Sequence, residues 1–183
     1  MADSVGCTAN VALLVDKKLY VANAGDSRAA LSRKGELIEL SYDHKPEDPI
    51  EYERIVSAGA KVEGGRINNH LNLSRCLGDL YYKKNKEIPY DRQTITGHPD
   101  IKTVDLCKED DFILMGCDGI WERYEKNGQD LITKVREDRM SGKGPEQVLQ
   151  DMLDGFLGKD PTKEQLGCDN MSCILIELNK NAF

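Results

Sequence analysis

The sequence lacks any hydrophobic run long enough to cross a bilayer, which takes about 20 consecutive apolar residues. Its N-terminus, MADSVGCTAN, has neither the basic start nor the apolar stretch of a signal peptide. It also contains no low-complexity block and no internal repeat. These absences predict a soluble, intracellular protein, cytoplasmic or nuclear, with no membrane partner.

Positively charged residues are fewer than negatively charged ones. Lys and Arg number 25 against 32 Asp and Glu, so the formal net charge is -7. An acidic chain is a poor match for a phosphate backbone, and we therefore expect no nucleic-acid partner. The hydrophobic share of 39% over 183 residues is enough for one globular domain with a sizeable core.

Metal-binding patterns of cysteine and histidine are also missing. The six cysteines contain no C-x-x-C pair, and the three histidines lie far apart, so a zinc site is not favoured. The even count permits three disulfides, but a chain without a secretory signal favours reduced cysteines in packing roles. The cysteines are Cys7, Cys76, Cys107, Cys117, Cys168 and Cys173.

The turn residues and apolar patterns of the sequence predict mostly strands in its first part and helices later. Polar turns at Asp16-Lys17 and Lys34-Gly35 indicate two early hairpins. The expected strands are residues 7–15, 18–24, 27–32, 36–40, 101–106, 111–117 and 171–178. The expected helices are a short one from Pro49 to just before Gly59, and residues 129–140 and 145–157.

Apolar residues mark one helix face and several core positions. In the short helix, Ile50, Ile55 and Val56 can share one face. We expect Trp121, Met152 and Phe156 in the core. The arginines at 28, 66 and 75 are expected mostly at the surface, although a guanidinium is well suited to bind phosphate.

Two aspartates lie at the edges of apolar runs. Asp118 follows FILMGC and Asp169 precedes NMSCILIEL. Because a lone carboxylate is costly to desolvate, these positions favour a nearby cation or several hydrogen-bond donors. Oxygen-only ligands indicate Mg²⁺ or Mn²⁺. Each motif alone also fits a plain turn, as do the Gly-Asp pairs at Asp26 and Asp79.

An ordered set of short motifs raises the weight of these aspartates. In chain order they are GCTA (6–9), AGDSR (24–28), DHKP (43–46), ERI (53–55), GRINNHLNLSRCLGD (65–79), HPDI (98–101), CDGIWE (117–122) and DNMS (169–172). Together they resemble the metal-dependent protein phosphatases of the 2C type, the PPM family, over nearly the whole chain. Residues 82–85 are similar to an insert of the family's gamma-like branch.

The resemblance implies an α+β fold, a four-layer α-β-β-α sandwich of two antiparallel sheets flanked by helices. It also implies two Mg²⁺ or Mn²⁺ ions per complete site, with a third, weaker site in the family. A water activated by the metals attacks phosphoserine or phosphothreonine, so phosphoproteins are the expected substrates and no phosphoenzyme is needed.

The resemblance also assigns roles to individual positions. Asp118 and Asp169 would be ligands of the binuclear centre, with Gly119 leaving space beside it and Asn170 next to it. Asp26 would join Asp118 and Glu122 in the third site.

Glu122, Arg66 and Asp79 complete the implied roles. Glu122 departs from the family pattern, because many members have Asp or Asn there. Arg66 falls in the implied flap segment, about residues 44–72, and would contact substrate. Asp79 is expected to be structural.

The resemblance further implies that residues 1–183 form a single domain, the C-terminal portion of a 2C-type catalytic domain. The family's D-G-H-G segment has no counterpart here, so the catalytic general acid and the bridging carboxylate are expected upstream. We expect the 183 residues alone to be weakly active or inactive, with a partner or self-association covering unpaired strands. The alternative function is a pseudophosphatase or short form that binds phosphoproteins. A two-metal nuclease is disfavoured by the acidic charge.

Overall fold

A computed structural model of the chain describes residues 3–124, 127–158, 160 and 166–179. The strands in this part of the chain are β1 (Gly6–Cys7), β2 (Ala9–Val15), β3 (Lys18–Ala24), β4 (Arg28–Arg33), β5 (Glu36–Glu39), β6 (Val62–Glu63), β7 (Arg66–Ile67), β8 (Leu77–Gly78), β9 (Asp100–Asp105), β10 (Asp110–Gly116) and β11 (Cys173–Glu177). The α-helices are α1 (Pro49–Ser57), α2 (Asp118–Trp121), α3 (Gly128–Met140) and α4 (Pro145–Phe156). Short 3₁₀ helices occupy Leu80–Lys83, Tyr90–Arg92 and Glu122–Tyr124.

The chain divides into two compact units. Unit 1 comprises Met1–Leu13, Val21–Ser27 and Ser41–Lys102, and unit 2 comprises Leu14–Tyr20, Arg28–Leu40 and Thr103–Phe183. A three-stranded sheet has the order β2-β3-β9. The chain is thus a mixed α+β protein with antiparallel sheets, as predicted.

Unit 2 is built on a four-stranded antiparallel sheet with the order β11-β10-β4-β5. The central strand β10 carries the apolar run Phe112 to Met115, and all four of these side chains are buried. An almost continuous apolar run is typical of a strand covered on both faces. The turn between β4 and β5 has positive φ at Lys34 and Gly35, which type I′ hairpin turns require.

Helices α3 and α4 complete the core of unit 2. Along α4, Val148, Met152 and Phe156 follow a four-residue spacing and are buried, so one face of the helix packs on the core. Trp121 is buried in the same cluster. The predicted core positions Trp121, Met152 and Phe156 are confirmed. The longest helix, α3, has 13 residues, and no helix in the described ranges has the length and hydrophobicity needed to span a bilayer.

Unit 1 contains α1, the β6-β7 hairpin and the β1-β8 pair. Of the three apolar residues expected to share a face of α1, only Ile55 is buried. Ile50 is 77% exposed and Val56 is 45% exposed, whereas Glu51 and Arg54 are buried beside Ile55. The helix buries charged side chains because they pair with each other and with polar groups from distant residues. The sequence pattern of α1 gives no sign of those partners.

Two other expectations need correction. Arg75, expected mostly at the surface, is buried and forms an ion pair with Glu51. None of the six cysteines forms a disulfide, as predicted, but Cys7 and Cys168 are exposed rather than packed. The two-residue pairs β1-β8 and β6-β7 were not predicted from the sequence, because strands this short carry no periodic signal.

Candidate metal centre

The junction between β10 and α2 holds Asp118. Strand β10 ends at Gly116, Cys117 is extended with φ -71° and ψ 174°, and Asp118 is the first residue of α2. The Gly119 N–H donates to Asp118 Oδ1 at 2.9 Å, which fixes the direction of the carboxylate. A strand interior therefore leads directly into a half-buried acidic group.

Asp169 reaches the same place from the neighbouring strand. Gly116 pairs with Cys173, the first residue of β11. Beyond that pair the two segments stay in contact, because the Cys117 N–H donates to the Ser172 carbonyl at 3.1 Å. The Cys117 thiol also lies 3.4 Å from the carbonyl oxygen of Asn170. Asp169, next in the chain, is thereby held close to Asp118.

Gly119 allows this close approach. A β-carbon at position 119 would lie 2.6 Å from the carbonyl oxygen of Asn170, a separation that real β-carbons do not tolerate. The absence of a side chain lets residues 169–171 run against the start of α2. In the segment before β11, the Asn170 N–H donates to Asp169 Oδ1 at 2.7 Å. Gly119 and Asn170 therefore shape the space around the two carboxylates.

Glu122 completes a group of three carboxylates. It follows Asp118 by one helical turn, and its N–H donates to the Asp118 carbonyl oxygen. Asp118, Glu122 and Asp169 each offer one oxygen, and these atoms all lie within 4.8 Å of one another. Glu122 and Asp169 are exposed and Asp118 is half-buried, so the group is open to solvent.

The donor set fits a hard divalent cation. Like charges this close repel, and a cation among them relieves the repulsion. Burial raises the pKa of the Cys173 thiol, and the neighbouring Cys117 adds to the increase. Oxygen donors alone suit Mg²⁺ or Mn²⁺ rather than Zn²⁺.

Asp26 lies in unit 1 and is not a member of this group. It follows Gly25 at the end of β3, its side chain is almost fully buried, and Lys45 Nζ lies 2.5 Å from its Oδ2. Asp26 therefore has an internal counter-ion.

Arg66 is exposed at the start of β7, also in unit 1. Its Nη1 donates to the carbonyl oxygen of His70 at 2.7 Å. In this arrangement the guanidinium closes a local loop within the segment predicted as a flap. One donor is engaged in that bond.

A polar network in unit 1, buried except at Asp100, was missed from the sequence. Its members are His44, Glu51, Arg54, Ser74, Arg75 and Asp100, called the Glu51 network below. Four of the short motifs named above contribute to it: DHKP, ERI, the Ser-Arg pair of residues 74–75, and HPDI. That shared origin was the signal available in the sequence, since no local pattern marks these residues as buried.

Comparison with known proteins shows which family the residues around the three carboxylates resemble. The family described as "Protein phosphatase 2C" matches residues 1–159, a range that includes Asp118 and Glu122 and ends before Asp169. The chain is 46% identical over 175 residues to "Probable protein phosphatase 2C 21" of Arabidopsis thaliana, covering 96% of this chain and 48% of that protein. It is 47% identical over 176 residues to "Probable protein phosphatase 2C 6" of Paramecium tetraurelia, covering 96% and 59%.

A solved structure agrees with these sequence matches. A phosphatase from a pathogenic strain of Toxoplasma gondii superposes with a TM-score of 0.77 at 30% identity, covering 89% of this chain and 49% of that chain. A serine-threonine phosphatase 2C from the same organism, at 21% identity and TM-score 0.74, shares the fold. The chain spans about half the length of the curated relatives it matches.

Proposed function

This chain belongs to the protein phosphatase 2C family of metal-dependent serine/threonine phosphatases, and from that membership we propose that it serves to hydrolyse phosphoserine and phosphothreonine in phosphoproteins. The observation that carries the proposal is the group Asp118, Glu122 and Asp169, whose ligand oxygens lie within 4.8 Å of one another. An exposed group of this kind is suited to hold a cation that also contacts a substrate phosphate.

We assign Asp118 and Asp169 as ligands of Mg²⁺ or Mn²⁺, with Glu122 as a further ligand. When bound, the metal supplies a water whose pKa is low enough to act as a nucleophile toward a phosphoester. The chain's own contribution is to fix the carboxylates. The Gly119 N–H orients Asp118, the Asn170 N–H orients Asp169, and the contacts of Cys117 keep the two segments side by side.

Two assignments concern unit 1. Asp26 is proposed as an additional carboxylate ligand, with the Lys45 ammonium as its counter-ion. Arg66 is proposed to bind the substrate phosphate, because a guanidinium matches phosphate oxygens in pairs. Its bond to the His70 carbonyl is exposed and therefore easily exchanged for a bond to a substrate.

The larger architecture follows from family membership. We propose that residues 1–183 belong to one catalytic domain with the α-β-β-α layering, and that residues 44–72 form its flap. The antiparallel sheets and the amphipathic helix α4 support this architecture. The proposed partners are phosphoprotein substrates.

Mn²⁺ binding and peptide hydrolysis test the proposal. The 183-residue chain is titrated with Mn²⁺ by calorimetry, and hydrolysis of a phosphothreonine peptide is followed with the same samples. Asp118→Asn is expected to abolish Mn²⁺ binding at this centre and any metal-dependent hydrolysis. The matched control is Asp154→Asn, an exposed carboxylate on α4, which should bind Mn²⁺ like the wild type.

The outcomes separate the alternatives. Mn²⁺ binding that is unaffected by Asp118→Asn would overturn the assigned centre. Binding that requires Asp118, without hydrolysis of a phosphopeptide even when the segment expected to hold the general acid is supplied, would favour a phosphoprotein-binding module in place of an enzyme.

A further inference from the structure

The Glu51 network joins helix α1 to the turn that carries Asp26. Its centre is the carboxylate of Glu51, which is buried in unit 1. Glu51 Oε1 accepts from Arg75 Nε at 3.0 Å and Nη2 at 2.6 Å. Glu51 Oε2 accepts from Ser74 Oγ at 2.5 Å and lies 2.7 Å from Arg54 Nη1. One carboxylate thus holds two guanidinium groups and a hydroxyl.

Arg75 extends the network toward β9. Its Nη1 donates to Asp100 Oδ1 at 2.7 Å, in addition to the carbonyl of His98 at 3.1 Å. Arg75 is therefore a bridge between Glu51 and Asp100, with the planar fork that makes arginine suitable for such a role. Asp100 itself is 62% exposed at its side chain, so the network reaches the surface there.

His44 carries the network from Asp100 to the Asp26 turn. Its Nε2 lies 3.1 Å from Asp100 Oδ2, and the Gly25 N–H donates to its Nδ1 at 3.1 Å. With hydrogen on Nε2, the ring donates to Asp100 and its Nδ1 accepts from the Gly25 N–H. The His44 N–H also donates to the Gly25 carbonyl at 3.1 Å. His44 therefore holds both polar backbone groups of Gly25.

The Gly25 turn has little freedom of its own. Gly25 has φ +122°, and a β-carbon there would lie 2.5 Å from the Thr8 side chain, so only glycine fits. The Asn23 side chain donates to the Gly25 carbonyl at 3.0 Å. Asp26 is the next residue, and the position of its carboxylate follows from the position of this turn.

We propose that the Glu51 network positions Asp26 as a metal ligand and couples it to helix α1 of the proposed flap. His44, Arg75 and Asp100 are positioning residues in this scheme, and none of them needs to contact metal or substrate. The inference rests on the proposed function, because it takes Asp26 as a ligand. It gives a shared purpose to the motifs DHKP, ERI, Ser74-Arg75 and HPDI, which the metal centre itself leaves unexplained.

Asp100→Asn is the first test, since Asp100 is exposed and its replacement should leave the chain folded. The variant weakens the bridge between Arg75 and His44. The matched control is Asp105→Asn, the same change at the other end of β9, where the carboxylate makes a surface ion pair with Lys18 at 3.5 Å. A second network variant, Glu51→Gln, is used where it folds.

Two readouts follow the Asp26 turn. In the metal-free chain, hydrogen exchange at the Gly25 and Asp26 amides should be faster in Asp100→Asn than in the wild type and Asp105→Asn. In Mn²⁺ titrations followed by electron paramagnetic resonance, one component of binding should disappear in Asp26→Asn. The Mn²⁺ affinity of that component should fall about tenfold in Asp100→Asn, as loss of a supporting partner commonly causes. The component that depends on Asp169 should not change.

The Asp26→Asn background separates positioning from general destabilisation. There, adding Asp100→Asn should leave the remaining Mn²⁺ binding unchanged, whereas a merely structural role would lower it further. If Asp26→Asn removes a Mn²⁺ component but Asp100→Asn alters neither that component nor the exchange, the inference is wrong and the proposed ligand stands. If Asp26→Asn removes no component, the proposed ligand role fails, and the inference fails with it.

Discussion

Glu51 is a charged residue in a place where charge is normally excluded. Burial alone would raise the pKa of its carboxyl, but the hydrogen bonds from Arg75 and Ser74 and the charge of Arg54 outweigh burial and place the pKa below its ordinary value. Asp100 behaves in the same way, because the bonds from His44 and Arg75 outweigh its own desolvation and lower its pKa. The partners of both carboxyls therefore favour the ionised form.

Removing the charge of Glu51 should destabilise unit 1 strongly. Glu51→Gln leaves the buried guanidinium groups of Arg54 and Arg75 without their anion, and breaking one partner of a buried ion pair costs about 3–5 kcal/mol. Urea unfolding at neutral pH measures the loss. Glu53→Gln, an exposed position on the same helix, should change the free energy of unfolding by less than about 0.5 kcal/mol. Equal effects of the two variants would contradict the role assigned to Glu51.

The lowered pKa values predict how stability depends on pH. A carboxyl whose pKa is lower in the folded state binds fewer protons there, so its stabilisation is present above the unfolded pKa and disappears as pH falls through the folded pKa. The wild type should therefore lose stability progressively below about pH 4.3, the ordinary value for Glu. Urea unfolding between neutral and acid pH should give a shallower dependence for Glu51→Gln. An unchanged pH dependence in that variant would contradict the lowered pKa of Glu51.

At Gly119, the lack of a side chain rather than a charge keeps the two halves of the proposed metal centre close together. Gly119→Ala places a methyl group 2.6 Å from the Asn170 carbonyl and must push residues 169–171 away from Asp118. We expect Mn²⁺ affinity to fall about tenfold or more by calorimetry, as for other changes just outside a metal site. Gly155→Ala is the control, because a β-carbon there meets nothing within 4 Å. It should keep Mn²⁺ affinity and raise stability by up to about 1 kcal/mol through helix propensity.

At the scale of elements, α4 is the helix whose packing is simplest to test. Phe156 is buried at its end, next to the ring of Tyr124 at a centroid distance of 5.7 Å, and Arg123 donates to its carbonyl. Phe156→Ala removes a large core side chain and should lower the free energy of unfolding by about 3–5 kcal/mol in urea. Leu157→Ala, one residue further and 57% exposed, should cost less than about 0.5 kcal/mol. Similar losses at both positions would contradict the observed packing face.

Helices α4 and α1 also mark the limit of what the sequence could predict. In α4 the apolar spacing is repeated over three turns, so both the helix and its buried face follow from local pattern. Helix α1 was predicted with nearly correct ends, because Pro49 and Gly59 mark them. Its apolar spacing does not show which face is buried, since Glu51 and Arg54 are buried through bonds to Ser74 and Arg75, 20 to 24 residues away in the chain.

The candidate site was also predicted only in part. Asp118 and Asp169 could be chosen from the sequence because each lies at the edge of an apolar strand, and the β10-β11 register then brings them together. The register itself could not be predicted, because it depends on the pairing of Gly116 with Cys173 across more than fifty residues. The exposure of Glu122 likewise depends on tertiary contacts.

At the scale of the whole molecule, excess negative charge couples metal binding to stability. The chain carries a net charge of -7, and three of its carboxylates converge on one centre. A ligand that binds the folded state and not the unfolded state raises the free energy of unfolding by mass action. A cation at this centre should therefore stabilise the fold, both by that linkage and by relieving repulsion among the carboxylates.

Thermal unfolding with and without Mn²⁺ measures this stabilisation. At a free concentration of 100 times the dissociation constant, Mn²⁺ should add about 2.7 kcal/mol to the free energy of unfolding, and a chelator should reverse the gain. Asp118→Asn should lose the gain and Asp154→Asn should keep it, in NaCl chosen to match the ionic strength. A general acidic surface would respond to Mn²⁺ by screening, and screening does not depend on which single carboxylate is removed. Equal stabilisation of both variants would therefore assign the effect to the net charge and contradict a built centre at Asp118.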